Sequence, residues 1–377
     1  MQIVSQKKGS RDNRQSNIEL LRIVTALGVI VLHYNNPNIG GGFRFVEGTP
    51  NKLVLAFFQA AFICAVNLFI LISGYFMRHS QKRDLLKPLE LVIQLLVFES
   101  LFLLIKEIPN SEPLTFERAV SYYIPSYWFV FVYISIYLIS PYLNIMWDKL
   151  GVRDRQILLS ILLCIFSVYP IIMDMVAYLS KVKMSGTSTI GLDGAQSGYT
   201  IVNFVLMYLI GLYMRDKDEL ELRLTGENNP KSSKTALLLF LNILVVLIWS
   251  ILDLTVFNRN TALIPAWCYQ NPFVITEAIL FFRLFKNMKI KNNKVINSLA
   301  AASFPSYLIH MNLLGYFGIK NAVHGNPVLL VLHIICCAGA IYLISYLMHT
   351  IYQLITARVF RVIDRRWIRR RRYAPQN

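Results

Sequence analysis

Apolar runs longer than about 18 residues recur along this chain, and they dictate most of what it can become. A run of that length, wound at about 1.5 Å per residue, approaches the ~30 Å hydrocarbon core of a bilayer. Inside hydrocarbon a helix satisfies its own backbone N–H and C=O groups. The 377 residues are 55% hydrophobic and only 16% charged, which excludes an ordinary soluble domain. The chain therefore reads as an all-α polytopic membrane protein, a bundle of about ten transmembrane helices. The expected spans are 17–35, 53–77, 85–105, 127–146, 156–179, 199–214, 235–257, 263–285, 295–318 and 327–357. One integral membrane domain is expected over 1–357, opening on a basic head at 1–16, with an arginine-rich tail at 358–377.

Loop charges orient this bundle. With the N-terminus inside, 29 of the 38 Lys and Arg fall in inner segments and 8 in outer ones, alternating at every loop. Both termini are then expected in the cytoplasm, with the chain embedded in the cell membrane. The net charge of +17 follows from the same rule and calls for no nucleic-acid partner. The tail from Arg358 to Arg372 reads as a juxtamembrane anchor to anionic lipid. Met1–Ser16 lacks an apolar core, so no cleavable signal peptide is expected. The five cysteines (Cys64, Cys164, Cys268, Cys336, Cys337) form no CxxC pair, so neither a metal site nor a disulfide framework is expected. The outer segments Asn35–Pro50, with Gly40-Gly41-Gly42, and Lys181–Tyr199 read as flexible connections able to line a pocket mouth.

Ionisable residues inside a span are costly and therefore informative. Arg22 and His33 share the run Asn17–Tyr34. Their spacing is three helical turns plus about 20°, so they share one face, about 16 Å apart along the axis. Arginine stays charged and grips phosphate, while neutral histidine can take a proton near pH 7. The pair suggests a tunnel with an anionic ligand at one end and proton chemistry at the other. A snorkelling arginine and an interfacial histidine would have the same spacing. Glu19, one turn before Arg22, could pair with it.

Span 2 ends in Ser73-Gly74-Tyr75, where small residues allow close helix approach, and an activated Ser73 would need a base nearby. Arg78, Lys82, Arg83 and Lys87 follow on the inner side, suited to a nucleotide's phosphates or simply to the charge rule. Tyr122, Tyr123 and Ser126-Tyr127-Trp128-Phe129 read as an aromatic belt, some of whose rings could stack on a sugar. His310, in span 9, could face His33 or serve packing alone, and Asp174, Asp253 and Glu277 are further intramembrane carboxylates.

These segments together resemble the membrane-bound acyltransferase-3 family, which O-acetylates bacterial surface polysaccharides. The likeness runs in order through ELLRIVTALGVIVLHY, VNLFILISGYFMR, the YWF opening of span 4 with Ser140-Pro141, YLIGLYMR near 208–215 and SYLIHM at 306–311. The resemblance implies acetyl-CoA as the acyl donor and a surface polysaccharide or lipid-linked oligosaccharide as the acceptor. It gives His33 the catalytic histidine's role and Arg22 that of the paired arginine, with Arg78, Arg83 and Lys87 toward the CoA phosphates. Glu19, Ser73, Tyr75, Trp128 and His310 are left as substrate or structural support. Two departures stand out: KRDLLK only approximates the family's Arg-x-x-Arg, and no appended extracytoplasmic esterase-like domain is expected. The competing readings are a transporter or flippase of a glycan or small anion, and a scaffold that lost catalysis. No fixed-period repeat or paired half-helix pattern supports the transporter, and the retained His33 speaks against the scaffold.

Overall fold

A computed structural model of the protein describes residues 14–107, 114–123, 127–181, 196–225, 232–259 and 264–372, with side chains of the last helix to residue 356. Most of the basic head, Ser126, the stretch 182–195 and the arginine side chains of the tail lie outside the described residues. Every regular element among the described residues is helical. The first part of the chain forms α1 (Ser16–Asn35), α2 (Gly42–Phe45), α3 (Thr49–Phe62), α4 (Ala65–Met77), α5 (Leu86–Glu107) and α6 (Phe116–Tyr123). The middle forms α7 (Trp128–Lys149), α8 (Val152–Leu163), α9 (Tyr169–Ser180), α10 (Ile201–Thr225) and α11 (Ser232–Thr255). The last part forms α12 (Pro272–Lys286), α13 (Lys294–Leu299), α14 (Ser303–Leu314), α15 (Ile319–Val323) and α16 (Pro327–Arg372).

Among the described residues, seven helical stretches are long and apolar enough to cross a membrane: Ser16–Asn35, Thr49–Met77, Leu86–Glu107, Trp128–Lys149, Val152–Ser180, Ser233–Thr255 and Pro327–Thr356. The expected sixth, eighth and ninth spans are helical but fall outside that set. In the sixth, α10 runs on into a charged segment; in the eighth, α12 has only 15 residues. The ninth is broken into α13, a 3₁₀ turn and α14.

Local chemistry sets several boundaries. Asp84 accepts the Leu86 N–H and starts α5, and Asn271 accepts the Phe273 N–H before Pro272 opens α12. Pro170 has no N–H for the carbonyl four residues earlier, and the chain absorbs the mismatch as a π turn over Cys164–Val168. α4 and α10 cross backbone against backbone: a Cβ on Gly74 would lie 2.2 Å from the Tyr208 carbonyl oxygen, and one on Gly211 2.5 Å from that of Leu71. α1 packs against α3, α4, α12, α14 and α16, so the helix with the most informative residues stands inside the bundle.

Candidate active site

Helix α1 keeps Glu19, Arg22 and His33 on one continuous element. Its far end is held by the glycine run. The Gly40 N–H donates to the His33 carbonyl at 2.9 Å, and a Cβ on Gly40 would come within 2.4 Å of the Tyr34 carbonyl oxygen. In place of the expected flexible connection, this segment closes on the last turn of α1, because glycine alone permits that approach. The next residue is fixed as well, since the Tyr34 hydroxyl meets His333 Nδ1 at 2.9 Å.

His33 meets a second histidine. Its ring centroid lies 4.6 Å from that of His310 on α14, at 56°. His33 Nδ1 is 2.9 Å from the Val29 carbonyl oxygen, and His310 Nδ1 is 3.0 Å from that of Ser306. A carbonyl only accepts, so each Nδ1 carries the proton, and each neutral ring keeps its accepting lone pair on Nε2. His310 is fully buried, and its Nε2 has no hydrogen-bond partner among the described residues. His33 is half-buried. Beside the pair, the Tyr127 hydroxyl bridges Glu99 on α5 (2.6 Å) and the Leu308 carbonyl on α14 (2.8 Å), which fixes α14 against α5.

A cavity of about 850 Å³ runs among α1, α4, α5, α7 and the α13–α14 corner. At one end it is lined by Arg14, Arg22, Lys82, Arg83 and Lys87; its aromatic wall includes Phe69, Phe129, Tyr133 and Tyr307. His33 and His310 do not line it. The Tyr307 ring stands 5.8 Å from that of His310, so one layer of aromatic side chains adjoins the histidine pair.

The cations at the basic end differ in how they are compensated. Pro141 has no N–H to give the Tyr137 carbonyl four residues back. That oxygen instead accepts from Ser140 Oγ at 2.6 Å and from Arg83 Nε at 3.2 Å. Arg83 also reaches Ser140 Oγ (2.6 Å) and Ser80 Oγ (2.7 Å), while its Nη2 is buried without a partner. All the oxygens that hold Arg83 are neutral, so its charge is uncompensated among the described residues. Arg22 has a single carboxylate contact, Glu19 at 3.5 Å, and Lys87 is exposed on the first turn of α5.

Arg78 departs from the expectation that it faces a donor's phosphates. It is 5% exposed and lies outside the cavity lining, 2.6 Å from both Asp148 and Asp216. Asp216 also takes Arg155 and the Trp147 indole N–H, so Arg78 locks α4 to α7, α8 and α10. Arg215 does line the cavity but is neutralised by Glu219. Burial works against the Glu219 anion, yet hydrogen bonds from His79 and Arg215 hold its carboxyl below the usual glutamate value.

The remaining expected residues sort by contact. Ser73 lines the cavity but donates to the Phe69 carbonyl at 2.9 Å, as helical serines do, and among the described residues no base bonds to it. Tyr75 lines the cavity and donates to Asp218 at 2.8 Å, tying α4 to α10. Trp128 sits apart, against Tyr199 (4.7 Å) and Phe204 (5.7 Å). Asp174 and Asp253 both reach Arg259, and Glu277 is fully buried. Sequence reading missed Ser140 as the anchor of Arg83, although the Ser-Pro pair inside a helix was its signal. It also missed Arg14 and Tyr307 as cavity residues, which only packing reveals.

A family model for the acyltransferase domain of the acyltransferase-3 family matches residues 15–350. No curated protein and no solved structure matches the chain. The matched region contains every residue of the cavity's aromatic wall and both histidines, along with Arg22 and the loop after α4. The chain belongs to the acyltransferase-3 family and is a multi-pass membrane acyltransferase.

Proposed function

We propose that this acyltransferase moves an acetyl group from cytoplasmic acetyl-CoA to a hydroxyl of an extracytoplasmic or lipid-linked glycan, in the cell membrane and with both termini cytoplasmic. The observation that carries the reading is a cavity with a cluster of cations at one end, Arg83 among them held by neutral oxygens alone, and, behind its aromatic wall, a histidine pair whose Nε2 atoms are the proton-accepting ones. Arg22, Arg83 and Lys87, with Arg14 and Lys82, suit the phosphates of the CoA head. The ~16 Å from Arg22 to His33 expected from helix rise is on the order of an extended pantetheine arm.

In this mechanism His33 Nε2 takes the proton of the acceptor hydroxyl as its oxygen attacks the acetyl carbonyl. The C–S bond breaks, the acetyl oxygen ester forms, and the CoA thiolate leaves and receives the proton. Nδ1–H of His33 stays on the Val29 carbonyl throughout, which keeps Nε2 the reacting nitrogen. The test compares surface glycans of a deletion strain and its parent by mass spectrometry. An acetyl-sized mass present in the parent, lost in the deletion and restored by the intact gene but not by His33→Ala is the expected result. Identical glycans in all four strains would remove the acceptor class.

A further inference from the structure

We propose that the aromatic wall of the cavity, made by Phe69, Phe129 and Tyr307, selects the length of the acyl group and admits acetyl in preference to longer chains. This rests on the acyl-CoA reading above. The three rings form a connected layer: Phe69 to Phe129 is 6.1 Å between centroids, and Phe129 to Tyr307 is 5.6 Å. The layer continues through Tyr307 to His310 at 5.8 Å and from His310 to His33 at 4.6 Å. With the CoA head at the basic end, a thioester advancing from the cavity toward the histidine pair therefore meets this layer acyl end first.

The wall is firm. Phe129 is 7% exposed, Tyr307 is packed against both Phe129 and Tyr127, and protein interiors resist added methylenes. An acetyl group presents one methyl to the rings, whereas propionyl and butyryl bring one and two further methylenes against the same layer. A methylene gained or lost in an apolar pocket changes binding by about 10–200-fold, so a wall of this kind separates neighbouring chain lengths.

The experiment uses the full-length protein in detergent and measures displacement of radiolabelled acetyl-CoA by unlabelled acetyl-, propionyl- and butyryl-CoA, which needs no knowledge of the acceptor. The wild type is expected to favour acetyl-CoA over butyryl-CoA by about tenfold or more. Phe69→Ala, at a half-buried position, and Phe129→Leu should each bring the competitors closer together, and either suffices should the other not fold. Phe98→Leu, a buried change against Tyr352 and outside the cavity lining, should leave the ranking unchanged. Equal affinities in the wild type, or a preference that neither wall variant alters, overturns the assignment. A folded wild type that binds none of the three overturns the acyl-CoA reading itself.

Discussion

At the basic end of the cavity Arg83 is held by oxygens from Ser80, Tyr137 and Ser140, contributed by the loop after α4 and by α7. Behind the cavity's aromatic wall, His33 and His310 are each oriented by a carbonyl of their own helix and meet only through their rings. The first arrangement leaves a positive charge fixed in place without a counter-charge, which favours an anionic ligand. The second fixes a tautomer without adding charge, which favours proton transfer. Arg83 and the histidine pair thus stand on different elements, with α1 carrying both Arg22 and His33, and changes at the two places should separate in what they alter.

The largest effect is expected at the histidine end. A positioned base contributes about 10²–10⁴-fold in rate, so His33→Ala should lower acetyl transfer by that factor while acetyl-CoA binding persists. His310→Ala should cost less, because that ring supports His33 from a fully buried site. Transfer by the His33 variant at near the parental rate would break the division of roles between the two ends.

Arg78 sharpens the contrast from the other side. Removing one partner of a buried ion pair costs about 3–5 kcal/mol. The lower part of that range applies here, because the Asp148 side chain is 42% exposed. Arg78→Ala should therefore lower the unfolding temperature in detergent and leave the acetyl-CoA affinity of the folded fraction alone. Weakened binding at an unchanged unfolding temperature would return Arg78 to the donor site.

Arg83→Ala and Arg22→Ala should do the reverse. A hydrogen bond to a charged group is worth about 1.5–3 kcal/mol, so each should weaken acetyl-CoA binding by about tenfold or more, measured by titration of the purified protein. Arg83→Lys should recover only part of the loss, because an ammonium lacks the planar fork that Ser80 and Ser140 hold. Unchanged affinity in Arg22→Ala would leave that residue a structural role beside Glu19.

Much of the site's frame is legible in the sequence alone. The common face of Arg22 and His33 follows from the 100° helical step. Even the anchor of Arg83 is implicit in Ser140-Pro141, since a proline inside a helix must strand a particular carbonyl. These features depend on neighbours within a turn, and sequence names those neighbours directly. Tertiary structure decided the rest. It gave Arg78 to carboxylates 70 and 138 residues along the chain, and it brought His310 against His33 from another helix. It turned Gly40 from a flexible link into a cap, and it broke the expected ninth span into two helices joined by a 3₁₀ turn. Backbone hydrogen bonding and helical period are local quantities, whereas ion pairing, ring contact and the closing of a cavity depend on which distant helices pack together.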